Sequence, residues 1–250
     1  MKTKTLPTSL QLIEFDSIDS TNSWALNQCR TGDLSVPFVV VAHHQTHGQG
    51  RLGRSWYSEK GKSLCFSLAL QVQLPLPVWM GLAVGIDVHR ELSKLPISGL
   101  ALKWPNDLLL NQLKLGGVLC QTASHRGLTY LVIGVGINLM SLQSPSFQCG
   151  ALSQCGVHLA GHQKTQWVYQ LACRLRETVV HAQSYGFSQF QDYFNQFDAY
   201  LGRLVELRQN GVLVASGYSL GVSDEGAYCI QTDQGKQTFL NADVSLRILS

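Results

Sequence analysis

The sequence predicts an α+β fold, in which a mixed β-sheet carries helices mainly on one side and is followed by a small β-rich domain. Three observations predict this fold. Segments with the polarity of short strands fill most of the chain up to Leu139. Two segments with helical periodicity follow, and from Arg203 the chain changes to about five short strands separated by turn signals. We therefore predict one domain over residues 1–200 and a second over residues 201–250.

The N-terminal segment predicts a strand, a turn and a helix. Leu10–Phe15 has the composition of a short strand, and the polar run Asp19–Asn22 offers side chains that cap a helix through Trp24 and Leu26. A Val-rich segment over Pro37–Ala42 predicts the next strand. The chain therefore begins with strand, turn and helix before it returns to a strand.

The middle of the chain predicts further strands around a helix. Over Leu64–Val72, apolar residues alternate with small or polar ones, which predicts a sheet with one buried face. Pro77 opens a segment with a helical apolar stripe, which ends near Pro96. Over Leu100–Leu139, turn signals separate short β-rich runs, as between antiparallel strands.

Two helices are predicted next, before the C-terminal strands. Each has an apolar face, which carries Val168, Leu171, Leu175, Val179 and Ala182 in the first and Phe190, Phe194 and Phe197 in the second. Turn signals at Asn210–Gly211, Asp224–Gly226 and Asp233–Gly235 then separate the short C-terminal strands.

Composition restricts the class of protein. Hydrophobic residues make up 45% of the chain and charged residues only 14%, which is the balance of a globular protein. The net charge of +3 is spread without a run of Lys or Arg, so we expect no specific DNA binding. The chain has seven cysteines without a C-x-x-C pair, no signal sequence and no long apolar span. We expect a cytoplasmic protein with reduced thiols and no membrane association.

A glycine-rich loop is the first candidate functional segment. Gly48–Gly53 matches the G-x-G-x-x-G pattern of dinucleotide-binding folds, but it leads through Gly61 into a strand rather than into a helix. Its glycines allow close approach of the backbone to a ligand, and Arg51 and Arg54 add guanidinium groups suited to phosphate or carboxylate. The loop predicts a mobile anion-binding flap, with an ordinary flexible hairpin as the alternative.

The segment Gln45–Trp56 resembles the biotin-binding loop of biotin protein ligases. Four other segments agree with this family in order and spacing: Asp19–Asn22, Lys103–Asp107, Lys114–Leu119 and Gly134–Asn138. The chain thus resembles the single-function type, without an N-terminal DNA-binding domain, since its first predicted strand starts near residue 10. The resemblance implies a catalytic domain like those of class II aminoacyl-tRNA synthetases and biotin ligases, followed by an SH3-like β-barrel.

The resemblance also implies an activity. Such an enzyme activates biotin with ATP, in the presence of Mg²⁺, to biotinyl-5'-AMP. It then transfers biotin to a lysine of a biotin carboxyl carrier protein, as a biotin-[acetyl-CoA-carboxylase] ligase. A homodimer is left open. Two alternatives also remain: a lipoate protein ligase-like acyl-adenylate transferase and a non-catalytic biotin-binding sensor.

Residue roles follow from the resemblance, and the chemistry of each position permits them. The reaction joins two anions, so it needs cations, and Arg51 and Lys114 are the expected catalytic residues. Asp107 is the expected Mg²⁺ ligand. The expected biotin-binding residues are Ser20, Thr21, Asn22, Gln45, Gln49, Gly50, Arg51, Lys114, Gly116 and Gly117. The expected ATP-binding residues are Arg51, Arg54, Trp56, Lys103, Asn106, Asp107, Lys114, Asn138 and Arg247.

The sequence departs from the family pattern at two places. Gln49 stands where the family often has a second loop arginine, so one cation is missing from the flap. The stretch Phe147–Ser153, where some members present a tryptophan to adenine, contains none. The sequence therefore leaves open how adenine is stacked.

Overall fold

The structure is a computed structural model that describes residues 2–5, 10–142, 148–159, 161–209, 211–240 and 244–248. Its larger sheet has eight strands. In chain order they are β1 (Lys2–Thr5), β2 (Gln11–Phe15), β3 (Phe38–Ala42), β4 (Ser63–Val72), β5 (Leu100–Lys103), β6 (Asp107–Leu110), β7 (Leu113–His125) and β8 (Leu128–Asn138).

The strand order is β1-β2-β3-β4-β8-β7-β6-β5. Strands β2 and β3 run parallel, and the other neighbouring pairs are antiparallel. The predicted mixed sheet is therefore confirmed. Two details differ from the prediction. The sequence did not indicate β1, and the run of short strands contains a long hairpin, because β7 has 13 residues and β8 has 11.

Helices cover both faces of this sheet. They are α1 (Thr21–Thr31), α2 (Met80–Leu92), α3 (Gly161–Tyr185) and α4 (Ser188–Phe197). Ser20 caps α1, since its hydroxyl oxygen accepts a hydrogen bond from the backbone N–H of Ser23 at 3.3 Å. Helix α1 packs on one face, whereas α2 and α3 pack on the other. The predicted excess of helices on one side is confirmed.

Strand β4 shows how the alternating pattern is used. Leu64, Phe66 and Leu68 belong to the core shared with α2 and α3, while Ala69 packs in the cluster of α1. The prediction of a single buried face is wrong, because nearly every residue of β4 is buried. The small and polar residues of β4 are covered by α1 and by the glycine-rich loop. The alternation therefore distinguishes a face that packs in the core from a face that lies at the candidate site.

The smaller sheet has five antiparallel strands, as the C-terminal turn signals predict. They are β9 (Leu204–Gln209), β10 (Val212–Val222), β11 (Tyr228–Thr232), β12 (Gly235–Phe239) and β13 (Val244–Ile248), in the order β12-β11-β10-β9-β13. This sheet is compatible with the expected SH3-like domain.

The two sheets share a hydrophobic cluster. Phe190 and Phe194 of α4 and Ile86 of α2 are buried together with Leu207 and Tyr228 of the small sheet. The predicted division near residue 200 therefore stays a prediction, although β9 begins close to it. None of the helices in the described part of the chain is both long and apolar enough to cross a membrane.

Candidate active site

The candidate site is a pocket on the α1 face of the large sheet. Its floor comes from β4, β7 and β8, one wall from the start of α1, and its roof from the glycine-rich loop. The predicted residues that line it are Ser20, Thr21, Asn22, Gln45, Gln49, Gly50, Arg51, Arg54, Trp56, Lys103, Asn106, Asp107, Lys114 and Gly117. The structure thus brings together side chains from segments that are far apart in sequence.

One half of the pocket is built on a network of neutral polar groups, most of them buried. We call it the α1 network, and its members are Thr21, Asn22, Gln45, Ser67 and Gln121. The backbone N–H of Thr21 donates to Gln45 Oε1 at 2.7 Å, and its hydroxyl lies 3.0 Å from the same oxygen. Ser67 Oγ lies 2.8 Å from both Thr21 Oγ1 and Asn22 Oδ1. Asn22 Nδ2 donates to Gln121 Oε1 at 2.7 Å.

These bonds fix the orientation of the amide side chains. Asn22 Oδ1 can only accept, so Ser67 acts as its donor. Gln45 Oε1 accepts from Thr21, which leaves the amide nitrogen of Gln45 as the group that can donate to a ligand. Ser58 holds the backbone of Gln45 through two hydrogen bonds of 3.0 Å. This half of the pocket is therefore preorganised for a neutral polar ligand.

Two glycines of β8 allow other side chains to lie flat on the floor. A Cβ atom at Gly136 would lie 2.6 Å from Cε2 of the Trp56 indole, and one at Gly134 would overlap with the amide of Asn22. Real Cβ atoms do not approach other groups so closely. The spacing of these glycines thus matches the two groups that the strand must admit.

The glycine-rich loop forms a hydrogen-bonded hairpin over the pocket. The N–H of Gly50 donates to the carbonyl of Arg54 at 2.7 Å, and the N–H of Trp56 donates to the carbonyl of Gly48 at 2.8 Å. Arg51 Nη1 donates to Asn106 Oδ1 at 2.9 Å. The predicted flap therefore rests on the 103–107 loop, the segment Lys103–Asp107, while its mobility stays a prediction.

The other half of the pocket carries charge. Lys114 Nζ lies 2.7 Å from Asp107 Oδ1, and the same ammonium lies 5.8 Å from the Trp56 ring centroid. Lys103 Nζ lies 5.5 Å from the ring centroid of Tyr200. Arg51 and Arg54 complete this cationic half, which is suited to phosphate and carboxylate oxygens.

Two predicted residues do not line the pocket, and the side chain of a third is not described. Gly116 faces the backbone of β8, where a Cβ would lie 2.6 Å from the carbonyl oxygen of Gly136. The buried Asn138 donates to the carbonyl oxygens of Lys114 and Gly150, both at 3.2 Å, and does not line the pocket. Its role towards adenine stays a prediction. Arg247 lies on β13, but its side chain is outside the described part of the chain.

The sequence did not identify several residues of the site. Ser67 and Gln121 are members of the α1 network, and Ser58 holds the backbone of Gln45. Cys65 lines the pocket beside Trp56. The alternation along β4 places Cys65 and Ser67 on one face, which could have indicated them. Burial raises the pKa of the Cys65 thiol to about 12, so this group is a packing contact rather than a nucleophile.

Comparisons with known proteins agree with this architecture. The bifunctional ligase/repressor BirA of Salmonella typhimurium is 28% identical over 97% of this chain and 81% of its own length. The biotin--[acetyl-CoA-carboxylase] ligase of Paracoccus denitrificans is 29% identical over 90% of this chain and 96% of its own length. A biotin protein ligase from Aquifex aeolicus, solved in complex with biotin and ATP, matches with a TM-score of 0.82 at 27% identity, over 95% of this chain and 99% of that chain.

The model of the biotin/lipoate A/B protein ligase family matches residues 14–138, which is half of the chain. This range contains the start of α1, the flap, the 103–107 loop and both glycines of the pocket floor. The resemblance seen in the sequence motifs is thereby confirmed at the level of the family. The chain belongs to the biotin/lipoate A/B protein ligase family.

Proposed function

We propose that this chain is an ATP-dependent biotin protein ligase, which forms biotinyl-5'-AMP and transfers biotin to a lysine of a carrier protein. The observation that carries this proposal is the division of one pocket into a neutral, buried hydrogen-bonding half and a cationic half. Biotin combines a neutral ureido ring with a carboxylate, and ATP supplies phosphates. A pocket with these two halves can hold the ring in one and join the anions in the other.

The first step places the biotin carboxylate beside the α-phosphate of ATP. A carboxylate oxygen attacks the α-phosphorus, and the bond to pyrophosphate breaks. Lys114 has three donors, so it can keep its contact with Asp107 and still bind the carboxylate. Arg51, which lies over the pocket on the flap, offsets negative charge that develops on the phosphoryl oxygens.

The second step transfers the biotinyl group. The neutral amine of the acceptor lysine attacks the carboxyl carbon and forms the C–N bond. AMP leaves with the electron pair of the broken C–O bond, and the nitrogen releases a proton to solvent. The carboxyl oxygen that is not bonded to phosphorus gains negative charge during this attack, so a Lys114 ammonium that holds this oxygen serves both steps. The roof formed by Trp56 and the flap keeps water away from the mixed anhydride until the acceptor arrives.

Asp107 fits a role in holding Mg²⁺. Its side chain is 20% exposed and lines the cationic half of the pocket. Among the described residues no group of three or more His, Cys, Asp or Glu side chains forms a metal cluster. Mg²⁺ often binds through one or two carboxylates together with substrate phosphates and water, so a single aspartate is sufficient. When bound, the ion would offset the charge of the ATP phosphates.

The substrate class can be tested by isotope exchange between ATP and pyrophosphate, with biotin and lipoate measured side by side. We expect exchange that depends on biotin, followed by transfer to the biotin carboxyl carrier domain of acetyl-CoA carboxylase. Exchange that depends on lipoate alone would replace this proposal by the lipoate ligase. Biotin binding without exchange would favour a non-catalytic sensor.

A further inference from the structure

The back of the 103–107 loop is built from the small C-terminal sheet. Trp104, the second residue of this loop, is only 3% exposed. Its ring centroid lies 5.4 Å from that of Tyr228 on β11, and its indole N–H donates to the carbonyl of Gly226 at 3.4 Å. A Cβ at Gly226 would lie 2.7 Å from Cβ of Trp79, so this turn sits tightly against the large domain.

A second group of contacts holds the same loop from the segment after α4. The N–H of Ala199 donates to the carbonyl of Leu102 at 2.9 Å, directly before the loop. The backbone N–H of Tyr200 donates to Asp198 Oδ1 at 3.0 Å, and the ring of Tyr200 lies beside Lys103. Asp198 and Tyr200 thus connect the loop to the start of the C-terminal sheet.

Tyr228 joins these two groups of contacts. Its hydroxyl lies 2.7 Å from Ser219 Oγ and donates to Asp198 Oδ2 at 3.5 Å, while its ring supports Trp104. Burial raises the pKa of the Asp198 carboxyl to about 7. The surroundings of Asp198 therefore accommodate the neutral form of its side chain. Asparagine at this position would supply a neutral amide of similar shape.

We propose that Tyr228 and Asp198 are positioning residues that hold the 103–107 loop in place for ATP. The loop also seats the flap, because Arg51 donates to Asn106, so its position affects how the nucleotide is enclosed. The inference rests on the proposed biotin ligase activity and adds to it that the C-terminal sheet supports only the cationic half of the pocket. Neither residue touches the α1 network in the described contacts.

The test measures the KM for ATP and the Kd for biotin in variants of the full chain. Tyr228→Ala should raise KM for ATP about tenfold and lower kcat, while the Kd for biotin alone changes by less than about twofold. Tyr228→Phe keeps the ring against Trp104 and should show a smaller change. Asp198→Ala should resemble Tyr228→Phe, and Asp198→Asn should restore the wild-type KM, because the amide keeps the acceptor for Tyr200.

A matched control separates positioning from loss of stability. Leu207 is fully buried in the same cluster but lies on β9, which β10 separates from Tyr228. Leu207→Ala should lower Tm without changing KM for ATP. Equal weakening of ATP and biotin by Tyr228→Ala, or a folded variant with wild-type KM for ATP, would overturn the inference.

Failure of the proposed function gives a different result. In that case the wild-type chain shows no exchange that depends on biotin. Calorimetric titration with ATP on the same variants then tests positioning directly, and Tyr228→Ala should weaken ATP binding about tenfold. Unchanged ATP binding in Tyr228→Ala would overturn the inference whatever the substrate of the enzyme.

Discussion

The two halves of the pocket are built in different ways. Most of the α1 network lies in regular structure, at the start of α1 and within β4 and β7, and most of its members are buried: Thr21 is 3% exposed and Ser67 is fully buried. The cationic half lies mainly on the flap and the 103–107 loop, and the side chain of Lys114 is 45% exposed. The neutral hydrogen-bonding groups thus belong to the protein core, whereas the charged groups lie at the edge of the pocket.

Physical chemistry gives a reason for this difference. Neutral hydrogen-bonding groups can be buried if each has a partner, and the α1 network provides those partners within the protein. Burying several cations costs much more, and Lys114 and Arg54 are accordingly exposed at the edge of the pocket. We therefore expect substitutions in the cationic half to affect rates, and substitutions in the α1 network to affect biotin affinity.

The largest effect is expected for Lys114→Gln. This substitution removes the ammonium that lies beside Asp107. In the proposed mechanism this ammonium acts on the reacting carboxyl group in both steps. Loss of a preorganised donor to developing charge slows a reaction by about 10² to 10³. We expect this loss in pyrophosphate exchange and also in single-turnover transfer from added biotinyl-5'-AMP.

Lys94→Gln is the matched control, because Lys94 also pairs with a carboxylate, at 2.6 Å from Glu91, but lies on the surface with 68% exposure. It should leave both rates unchanged. A folded Lys114→Gln variant with wild-type rates in both assays would show that the assignment of catalysis to the cationic half is wrong.

A smaller effect is expected for Gly136→Ala, which tests the contact between the two halves. The new Cβ would lie 2.6 Å from the indole of Trp56, which roofs the pocket and lies near Lys114. Overpacking of this kind lowers the free energy of unfolding by about 1 to 3 kcal/mol. Urea unfolding measures this cost, and we expect the Kd for biotinyl-5'-AMP to rise with it.

Gly85→Ala provides the control for that substitution. Gly85 lies on α2, and apart from the neighbouring residues and the backbone of this helix, no atom of the described residues lies within 4 Å of the Cβ that alanine would add. Alanine is favoured over glycine in a helix by about 0.5 to 1 kcal/mol, so this variant should be more stable. If Gly136→Ala and Gly85→Ala had the same free energy of unfolding, Trp56 would move aside without loss of stability. The Trp56 ring would then not connect the two halves of the pocket.

Ser67→Ala tests the α1 network itself. It removes the donor to Asn22 Oδ1 and leaves this buried oxygen without its partner. The loss should weaken biotin binding about tenfold and leave KM for ATP unchanged. Ser63→Ala on the same strand is the control, since the buried hydroxyl of Ser63 has no hydrogen-bond partner among the described residues. A rise in KM for ATP with Ser67→Ala would contradict the division of labour.

The sequence predicted the strands other than β1, the helices and most of the pocket lining, because these depend on local patterns and on motifs with fixed spacing. It did not identify Ser67 or Gln121, whose role depends on contacts with Asn22, a residue distant in sequence. It also assigned β4 one buried face, because alternation does not show that α1 covers the second one. Pairings between distant segments determine these features.

The same limit applies to the C-terminal sheet. Its strands follow from turn signals, and the fold class is confirmed. The contact of Tyr228 with Trp104 has no local signal, since it joins the two sheets across the shared cluster. The support of the 103–107 loop therefore became visible only in the structure.

The smallest effect is expected for Gln49→Arg, which asks whether the cationic half can be strengthened at its exposed edge. Gln49 lines the pocket on the flap, at the position where the family pattern led us to expect arginine. A new guanidinium near bound phosphate, still in contact with water, contributes about 0.2 to 1 kcal/mol, so KM for ATP should fall by at most about fivefold. The gain should shrink at high salt, because screening weakens exposed charge interactions. Biotin affinity in the absence of ATP should not improve, since the proposal assigns the neutral ring to the α1 network. Gln170→Arg adds the same charge on α3, away from the pocket, and should leave KM unchanged. If both variants lowered KM equally, the effect would come from net charge, and if Gln49→Arg tightened biotin alone, the flap would belong to the neutral half.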